Sequence, residues 1–569
     1  MTEKLSVCFV WHMHQPLYKD RLSGSYLMPW VRLHAVKDYL DMPLMLQEFP
    51  KIQQTFNLVP SLMEQLEDYG WNRAVDEQLL LTIKPTEDYT PHDRIAILTT
   101  SFQANVERQI KPHAHYFELY NKRQRLLDRK HTLQSMIGEF SDQEFADLAT
   151  WLNLAWFDPL WYKKNEELRT YLGQQKDFSI ERRRRLIEIQ RELIRQTIPV
   201  YRQLQELGQV EVITSPYYHP ILPLLIDSNV ARLPNPHCKL PRRLYFHRDD
   251  ARKQLETGLK FYEEMFQQPA RGMWPSELAV SPAALELIAE SGIQWVVLDE
   301  ALLARTLEGT IYRDDHGNLN SAEMICQPYR LHVGDEVVNI FFREVVLSNE
   351  ISFSYGRRHP QEAASALYLR LKHIQQRLFN WDREGVVVIA LDGENCWETY
   401  EDDGNPFLSE LYRRLSEDNT LRVCTVSDYL ERHPPTTELY NIHSGSWIGA
   451  DYHIWIGDPI KNRAWELLSA TRQFLVAELR HRKHSKELQA RAWEEIYTAE
   501  GSDWFWWFGE PNNSDNDPIF DQQFRLRLQN VYKLLGHAYP ADLDVPVPDQ
   551  VFSHPKDTHV EAAHAPVQS

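Results

Sequence analysis

At 569 residues the chain exceeds the size at which a single hydrophobic core stops growing, so two or three packed units are expected. With 43% hydrophobic and 25% charged residues it has a globular composition, and no run of about 18 uninterrupted apolar residues is present to span a membrane. The net charge of -19 argues against nucleic acid as a partner, because that ligand calls for concentrated positive charge. The one basic run, Arg182 to Arg185, sits among helix formers and reads as a solvated helix face.

The start of the chain lacks the basic, apolar and small-residue succession of a secretion signal. Five cysteines (Cys8, Cys238, Cys326, Cys396 and Cys424) are scattered with no C-x-x-C pair, which is the pattern of reduced thiols and implies a cytoplasmic location. The 17 tryptophans and 26 tyrosines stand out, since flat rings with polar edges suit sugar faces as well as protein cores.

In chain order, β-branched apolar runs predict strands at residues 5–11, 210–214, 294–298, 336–342, 386–391 and 421–426. Helical periodicity separates several of them, as at 361–379, and strands alternating with helices imply a mostly parallel sheet, open or closed into a barrel. Residues 91–207 read as a helical insertion. Within it Ser141 and Glu144 form a capping box ahead of Phe145, Leu148, Leu152 and Trp156 at helical spacing. The expected division is a catalytic α/β unit over 1–440, an α-helical domain over 441–538 and a disordered tail over 539–569, rich in Pro, Asp and His.

The reactive residues gather at strand ends, which are the working face of parallel α/β architectures. His12 and His14 close the first strand, on the same side by the period of two. Glu211 lies within the second predicted strand and His219 just beyond it; Glu277 and Asp392 follow later strands. Glu277 and Asp392 form a candidate carboxyl pair of the kind that cleaves glycosidic bonds, with Trp274 and Trp397 nearby as sugar platforms and as a means of desolvating the acid. The histidine pair has three readings: a metal site completed by a carboxylate, hydrogen bonds from imidazole to substrate hydroxyls, or packing against a buried carboxylate. Spacing does not choose among them.

The stretches HMHQPLY, GQVEVITSPYYHP, GMWPSE, ALDGENCWE and SGSWIGADYHIWIG occur in an order that resembles glycoside hydrolase family 57, over nearly the whole chain. The resemblance implies an incomplete (β/α)7 barrel followed by a helical domain that contributes to the cleft. It also implies a retaining mechanism on α-glucans without a cofactor or catalytic metal. Under it, Glu277 would be the nucleophile and Asp392 the general acid/base. His12, His14, Glu211 and His219 would line the sugar subsite, with Trp274 and Trp447 as its walls. The loop from Gly501 to Asp515 would bring Asp503 and Trp504 to the cleft. The motif wording is similar to amylase and amylopullulanase members; a 4-α-glucanotransferase or branching enzyme is the alternative, and a zinc-dependent polysaccharide deacetylase or mannosidase-like hydrolase the alternative of another class. Retention implies carboxyl groups about 5–5.5 Å apart. Substitution of His14 is expected to damage glucan turnover while chelation of metal leaves it intact; turnover lost on dialysis against chelator and restored by zinc would reverse that reading.

Overall fold

A computed structural model of the chain describes residues 4–315 and 317–552. Contacts divide it into two compact units, one of Met1–Asn235 with Phe246–Tyr452 and the other of Pro236–Tyr245 with His453–Ser569. The second unit thus begins at His453, beyond the expected boundary near 441, and recruits a short segment from the middle of the chain.

Among the described residues the first unit carries ten strands: β1 (Leu5–Met13), β2 (Gln54–Leu58), β3 (Val210–Ile213), β4 (Gly272–Met273), β5 (Trp295–Asp299), β6 (Tyr329–Val333), β7 (Glu336–Arg343), β8 (Gly385–Asp392), β9 (Leu421–Val423) and β10 (Thr437–Leu439). Seven run parallel in a ring. The order is β1, β2, β3, then β4 through the Thr214–Met273 bridge, then β5, β7 and β8, which pairs with β1 along eight residues from Leu5 to His12. The β3–β4 and β7–β8 seams each rest on a single residue pair, so the ring is an incompletely closed (β/α)7 barrel. β6 makes an antiparallel hairpin with β7 and carries β10 on its far edge, while β9 pairs with the first half of β1.

All nine residues of β1 are buried, as expected of a parallel strand covered on both faces. β2 escapes hydrophobic patterning because its sequence is QTFNL; its polar residues are paired inside, Gln54 accepting from the Trp11 indole at 2.8 Å. Side chains that point inward with period two form one core: Cys8 and Val10, Ile213, Trp295 and Val297, Phe341, and Val386, Val388 and Ala390. Cys424, Val426 and Tyr429 join the same core.

The helical insertion lies between β2 and β3, and the Ser141–Glu144 capping box is present, the Glu144 carboxylate accepting from the Ser141 N–H at 2.7 Å. One feature of the basic run differs from expectation. Arg183 turns inward and donates to the carbonyls of Thr82 and Lys84 at 2.9 Å, because it falls on the core-facing stripe of the helix Ile180–Ile194, at helical spacing from the buried Leu186, Ile187 and Gln190.

The second unit is helical, with Pro459–His481, Lys486–Ala499, Ser502–Trp506 and Asp517–Leu534 as its main helices. Residues 539–552, expected to trail as a tail, instead hold a 3-10 turn (Ala541–Asp544) and a helix (Val547–Phe552), with Leu543 and Val547 buried and the Val547 N–H donating to Asp521 at 2.8 Å. The rest of that expected tail lies outside the described residues. Among the described residues no helix is long and apolar enough to cross a membrane.

Gly272 on β4 marks the closest approach in the barrel wall: a Cβ built there would sit 2.2 Å from the Trp295 ring. Gly272→Ala is therefore expected to cost about 1–3 kcal/mol by overpacking, read as a lowered midpoint in denaturant titration.

Candidate active site

Apart from Thr55 and Glu211, the barrel core is apolar below its last inward layer, where six strands of the ring end in polar side chains. Two residues beyond Val10 stands His12; beyond Thr55, Asn57; beyond Ile213, Ser215; beyond Val297, Asp299; beyond Phe341, Arg343; and beyond Ala390, Asp392. His12 is level with both Asn57 and Asp392 in the strand register, and Asp299 with Arg343. Period-two alternation thus sets a ring of polar side chains on top of a hydrophobic plug, at the carboxyl ends of the strands.

These groups satisfy one another. The Asn57 amide donates to His12 Nδ1 at 2.6 Å and to Ser215 Oγ at 3.0 Å, and Ser215 donates to the Trp274 carbonyl at 2.7 Å. Because His12 Nδ1 accepts, its proton resides on Nε2. Burial and the neighbouring His14 hold His12 well below the usual imidazole range. His219 is displaced the same way by burial, with His14 and His12 adding to it. The three rings are stacked, His14 on His219 with centroids 4.0 Å apart and His12 on His219 at 5.0 Å, and Trp274 lies under His12 at 4.6 Å, nearly parallel. Imidazole lone pairs lie in the ring plane, so stacked rings do not converge on a point. Among the described residues no group of three or more His, Cys, Asp and Glu is placed to hold a metal ion.

Glu277 follows β4 in a strained turn, with φ +57° at Glu277 and +47° at Leu278. The segment containing Ser444 to Trp447 holds it. Val280 and Gly445 exchange backbone hydrogen bonds of 2.8 and 3.0 Å, the Trp447 N–H donates to the Glu277 carbonyl, and the Trp447 indole donates to Glu277 Oε2 at 2.8 Å. Glycine is needed at 445 because a Cβ there would meet the Ala450 carbonyl oxygen at 2.3 Å. The other oxygen, Oε1, lies 3.9 Å from His219 Nδ1. His219 is itself left-handed at φ +54°.

Asp392 ends β8. Burial pushes its carboxyl above the ordinary range, opposed by a hydrogen bond from Asn395 and by the charges of His14 and Arg343. In the same loop Glu394 is buried, and desolvation beside Asp392 raises it well above normal; it accepts from the His14 N–H at 3.0 Å and from Tyr39 at 3.2 Å. Met13, on the outer face of β1, is fully buried.

The structure therefore brings together His12, His14, His219, Trp274, Glu277, Asp392 and Trp447. Glu211, Trp274 and Trp397 do not have the surroundings expected of them. Glu211 does not reach the histidines. It points inward two residues before Ile213, roughly 7 Å lower along the strand, where it accepts from the Ser427 N–H at 3.1 Å and from Thr55 at 3.4 Å. Trp274 is fully buried beneath His12 and offers no face to a sugar. Trp397 is likewise core: its indole donates to the Gly393 carbonyl at 2.7 Å and its ring packs against Trp11 and Tyr400. Asp503 and Trp504 belong to the second unit, where Trp504 is buried and donates to the Thr498 carbonyl at 2.7 Å. Of the expected aromatic walls only Trp447, set edge-on to Trp274 at 5.6 Å, is partly exposed. Glu394, which the sequence places at the same strand end as Asp392, lies beside it, and Asn57, Ser215 and Arg343 join the site without having been expected there. Continuing the inward period of two to the end of each strand would have found Arg343.

The family model for glycosyl hydrolase family 57 matches residues 8–442, and the chain belongs to that family. It is 25% identical over 249 residues to an alpha-amylase of Pyrococcus furiosus, a match covering 43% of this chain and 31% of that protein. It is also 25% identical over 249 residues to a 4-alpha-glucanotransferase of Thermococcus litoralis, covering 43% and 30%. The chain thus spans about a third of the length of these curated relatives. In fold it is similar to a GH57-type branching enzyme of Pyrococcus horikoshii, with a TM-score of 0.58 at 16% identity, over 97% of this chain and 96% of that one.

Trp447→Phe keeps the ring and removes the donor to Glu277. A hydrogen bond to a charged group is worth about 1.5–3 kcal/mol, so this change is expected to lower kcat about 10- to 100-fold with the fold intact, measured by steady-state kinetics beside circular dichroism.

Proposed function

We propose that the chain is a retaining glycosidase of α-glucans, with Glu277 as nucleophile and Asp392 as general acid/base. The observation that carries this reading is the contrast between the settings of the two carboxyls. Glu277 has one oxygen fixed by the Trp447 indole, whereas desolvation keeps Asp392 protonated to higher pH than an ordinary aspartate.

In the first step Glu277 attacks the anomeric carbon while Asp392 donates its proton to the glycosidic oxygen, releasing the leading sugar and leaving a glycosyl ester on Glu277. In the second step Asp392, now a carboxylate, takes the proton of an incoming hydroxyl that displaces Glu277. His12, neutral with its proton on Nε2, and His14 line the attacked sugar as hydrogen-bonding neighbours, with the buried His219 stacked on His14; His12 and His219, held neutral by burial, add no charge to compete with the developing oxocarbenium ion.

Water as the incoming hydroxyl makes the protein an α-amylase-type hydrolase of α-1,4 links, with α-1,6 links of amylopullulanase type as further targets. A sugar hydroxyl makes it a transglycosylase. The likeness to a 4-alpha-glucanotransferase and a branching enzyme supports that second reading. Five buried free cysteines fit a reducing, cytoplasmic setting, with glycogen, starch or maltodextrin as the partner.

Incubation with amylose, pullulan and maltotetraose, followed by chromatography, separates these outcomes. The expected result is shortened products from amylose and their loss in Glu277→Gln by at least about 1000-fold, given that the triad-like loss of a nucleophile is of that order or larger. Longer sugars from maltotetraose would replace hydrolysis with transfer, new branches on amylose would make it a branching enzyme, and undiminished turnover by Glu277→Gln would remove the nucleophile assignment.

A further inference from the structure

Arg343 closes β7 at a point where four features of the site converge. Its Nε lies 2.9 Å from the Asp299 carboxylate, and its Nη2 donates to Asn349 at 2.8 Å. Its Nη1 donates to the Ala390 carbonyl at 3.1 Å, two residues before Asp392 on the neighbouring strand. The guanidinium carbon stands 5.2 Å from the centre of the Trp447 ring, the same ring whose N–H binds Glu277. Arg343 is only 5% exposed, and so is Asp299 at 2%.

A buried cation is costly unless paired, and a lone pair with Asp299 would meet that need without any further reach. What Asp299 does not explain is the remainder of the fork. Beside the carboxylate, a planar guanidinium can hold an amide and a carbonyl with its two Nη groups while its face lies against an indole, which an ammonium cannot do. The β7–β8 seam it spans is also the one where the two strands share a single paired position. Without Arg343, the strand end bearing Asp392 would be tied to β7 chiefly by the Glu344 N–H donating to the Val388 carbonyl at 2.7 Å.

We propose that Arg343 is a positioning residue for both carboxylates, holding Trp447 in place over Glu277 and fixing the end of the strand that carries Asp392. This inference rests on the glycosidase reading of the two carboxylates. It also carries a consequence for pH. The groups facing Asp392 are His14 beyond β1, Asn395, Glu394 and Cys396 in its own loop, and Arg343 on β7. Burial raises Asp392, and Arg343 is a fixed positive charge opposing that rise. Removing the charge lets the carboxyl stay protonated to higher pH, so the alkaline limb of the rate profile, which reports the general acid, moves up. Removing the Asp299 charge leaves Arg343 less compensated, so the same limb moves down.

The test compares the parent chain with Arg343→Met, Arg343→Lys and Asp299→Asn on maltooligosaccharides. Expected for Arg343→Met is a fall in kcat of at least about tenfold with KM within about threefold, and an alkaline limb shifted up by at least about 0.5 pH unit. Arg343→Lys keeps the charge and loses the fork, so kcat falls while the limb stays within about 0.2 unit of the parent. Asp299→Asn shifts the limb down, and this opposite displacement decides the matter even where Arg343→Met fails to fold. A folded Arg343→Lys with parental kcat, or Arg343→Met and Asp299→Asn limbs that coincide with the parent's, would overturn the positioning role. A parent chain that turns over no α-glucan would overturn the glycosidase reading itself, and this inference with it. Parental activity combined with unaltered variants overturns this inference alone.

Discussion

The inward side chains at the carboxyl ends of the barrel strands carry polar atoms into a layer that water barely reaches, and most of the side chains find a partner there. An unpaired buried donor or acceptor costs about 1–3 kcal/mol, which is large against the stability of a domain. Asn57 therefore donates twice, to His12 and Ser215, and Ser215 passes a hydrogen bond on to the Trp274 carbonyl. Arg343 and Asp299 neutralise one another on adjacent strands, and Glu394 accepts the backbone N–H of His14. The orientation of the site is a by-product of this mutual satisfaction. His12 takes a defined tautomer because of Asn57, and the imidazoles stack because burial keeps at least two of them neutral.

Two carboxyls of similar intrinsic acidity are made different by their settings. Glu277 sits in a left-handed turn that a non-glycine residue adopts at a cost, and backbone pairing of Val280 with Gly445 and the Trp447 hydrogen bonds hold that turn in place. Asp392 sits at the end of a buried strand with one hydrogen bond from Asn395, beside a second buried carboxyl at Glu394 that desolvation also raises. One is held by geometry and the other by dielectric. That division of roles is what a double-displacement reaction needs, since its first step asks for a carboxylate and a carboxylic acid at the same time.

Much of this was legible before any coordinates. The apolar runs marked six of the ten strands, and the helical insertion was visible between β2 and β3 from its capping box and periodicity. Histidines and carboxylates at strand ends pointed to the carboxyl mouth of a parallel barrel. What stayed hidden has identifiable causes. β2 is polar inside, because its side chains serve the ring of hydrogen bonds, so hydropathy passed it over. β4 has two residues and no pattern to read. Trp274 and Trp397 stand beside catalytic candidates in sequence, yet packing buries both rings, Trp274 against His12 and Trp397 against Trp11 on the outer face of β1. Glu211 lies on the correct strand and the correct face but one layer too low, a distinction that only register across strands can make.

The sequence by itself determined the class of fold and singled out Glu277 and Asp392 as the candidate pair. Both follow from local rules: the two-residue period of strands, the position of polar residues at strand ends and the order of five motifs. The tertiary structure alone decided which aromatic ring faces the site, which oxygen of Glu277 is held, and that Arg343 reaches both the Trp447 ring and the strand that carries Asp392. Those features depend on residues 170 positions apart, as with Glu277 and Trp447, or on strands joined through a single pair. Closure of the barrel sets such distances, and no local window of the chain contains them.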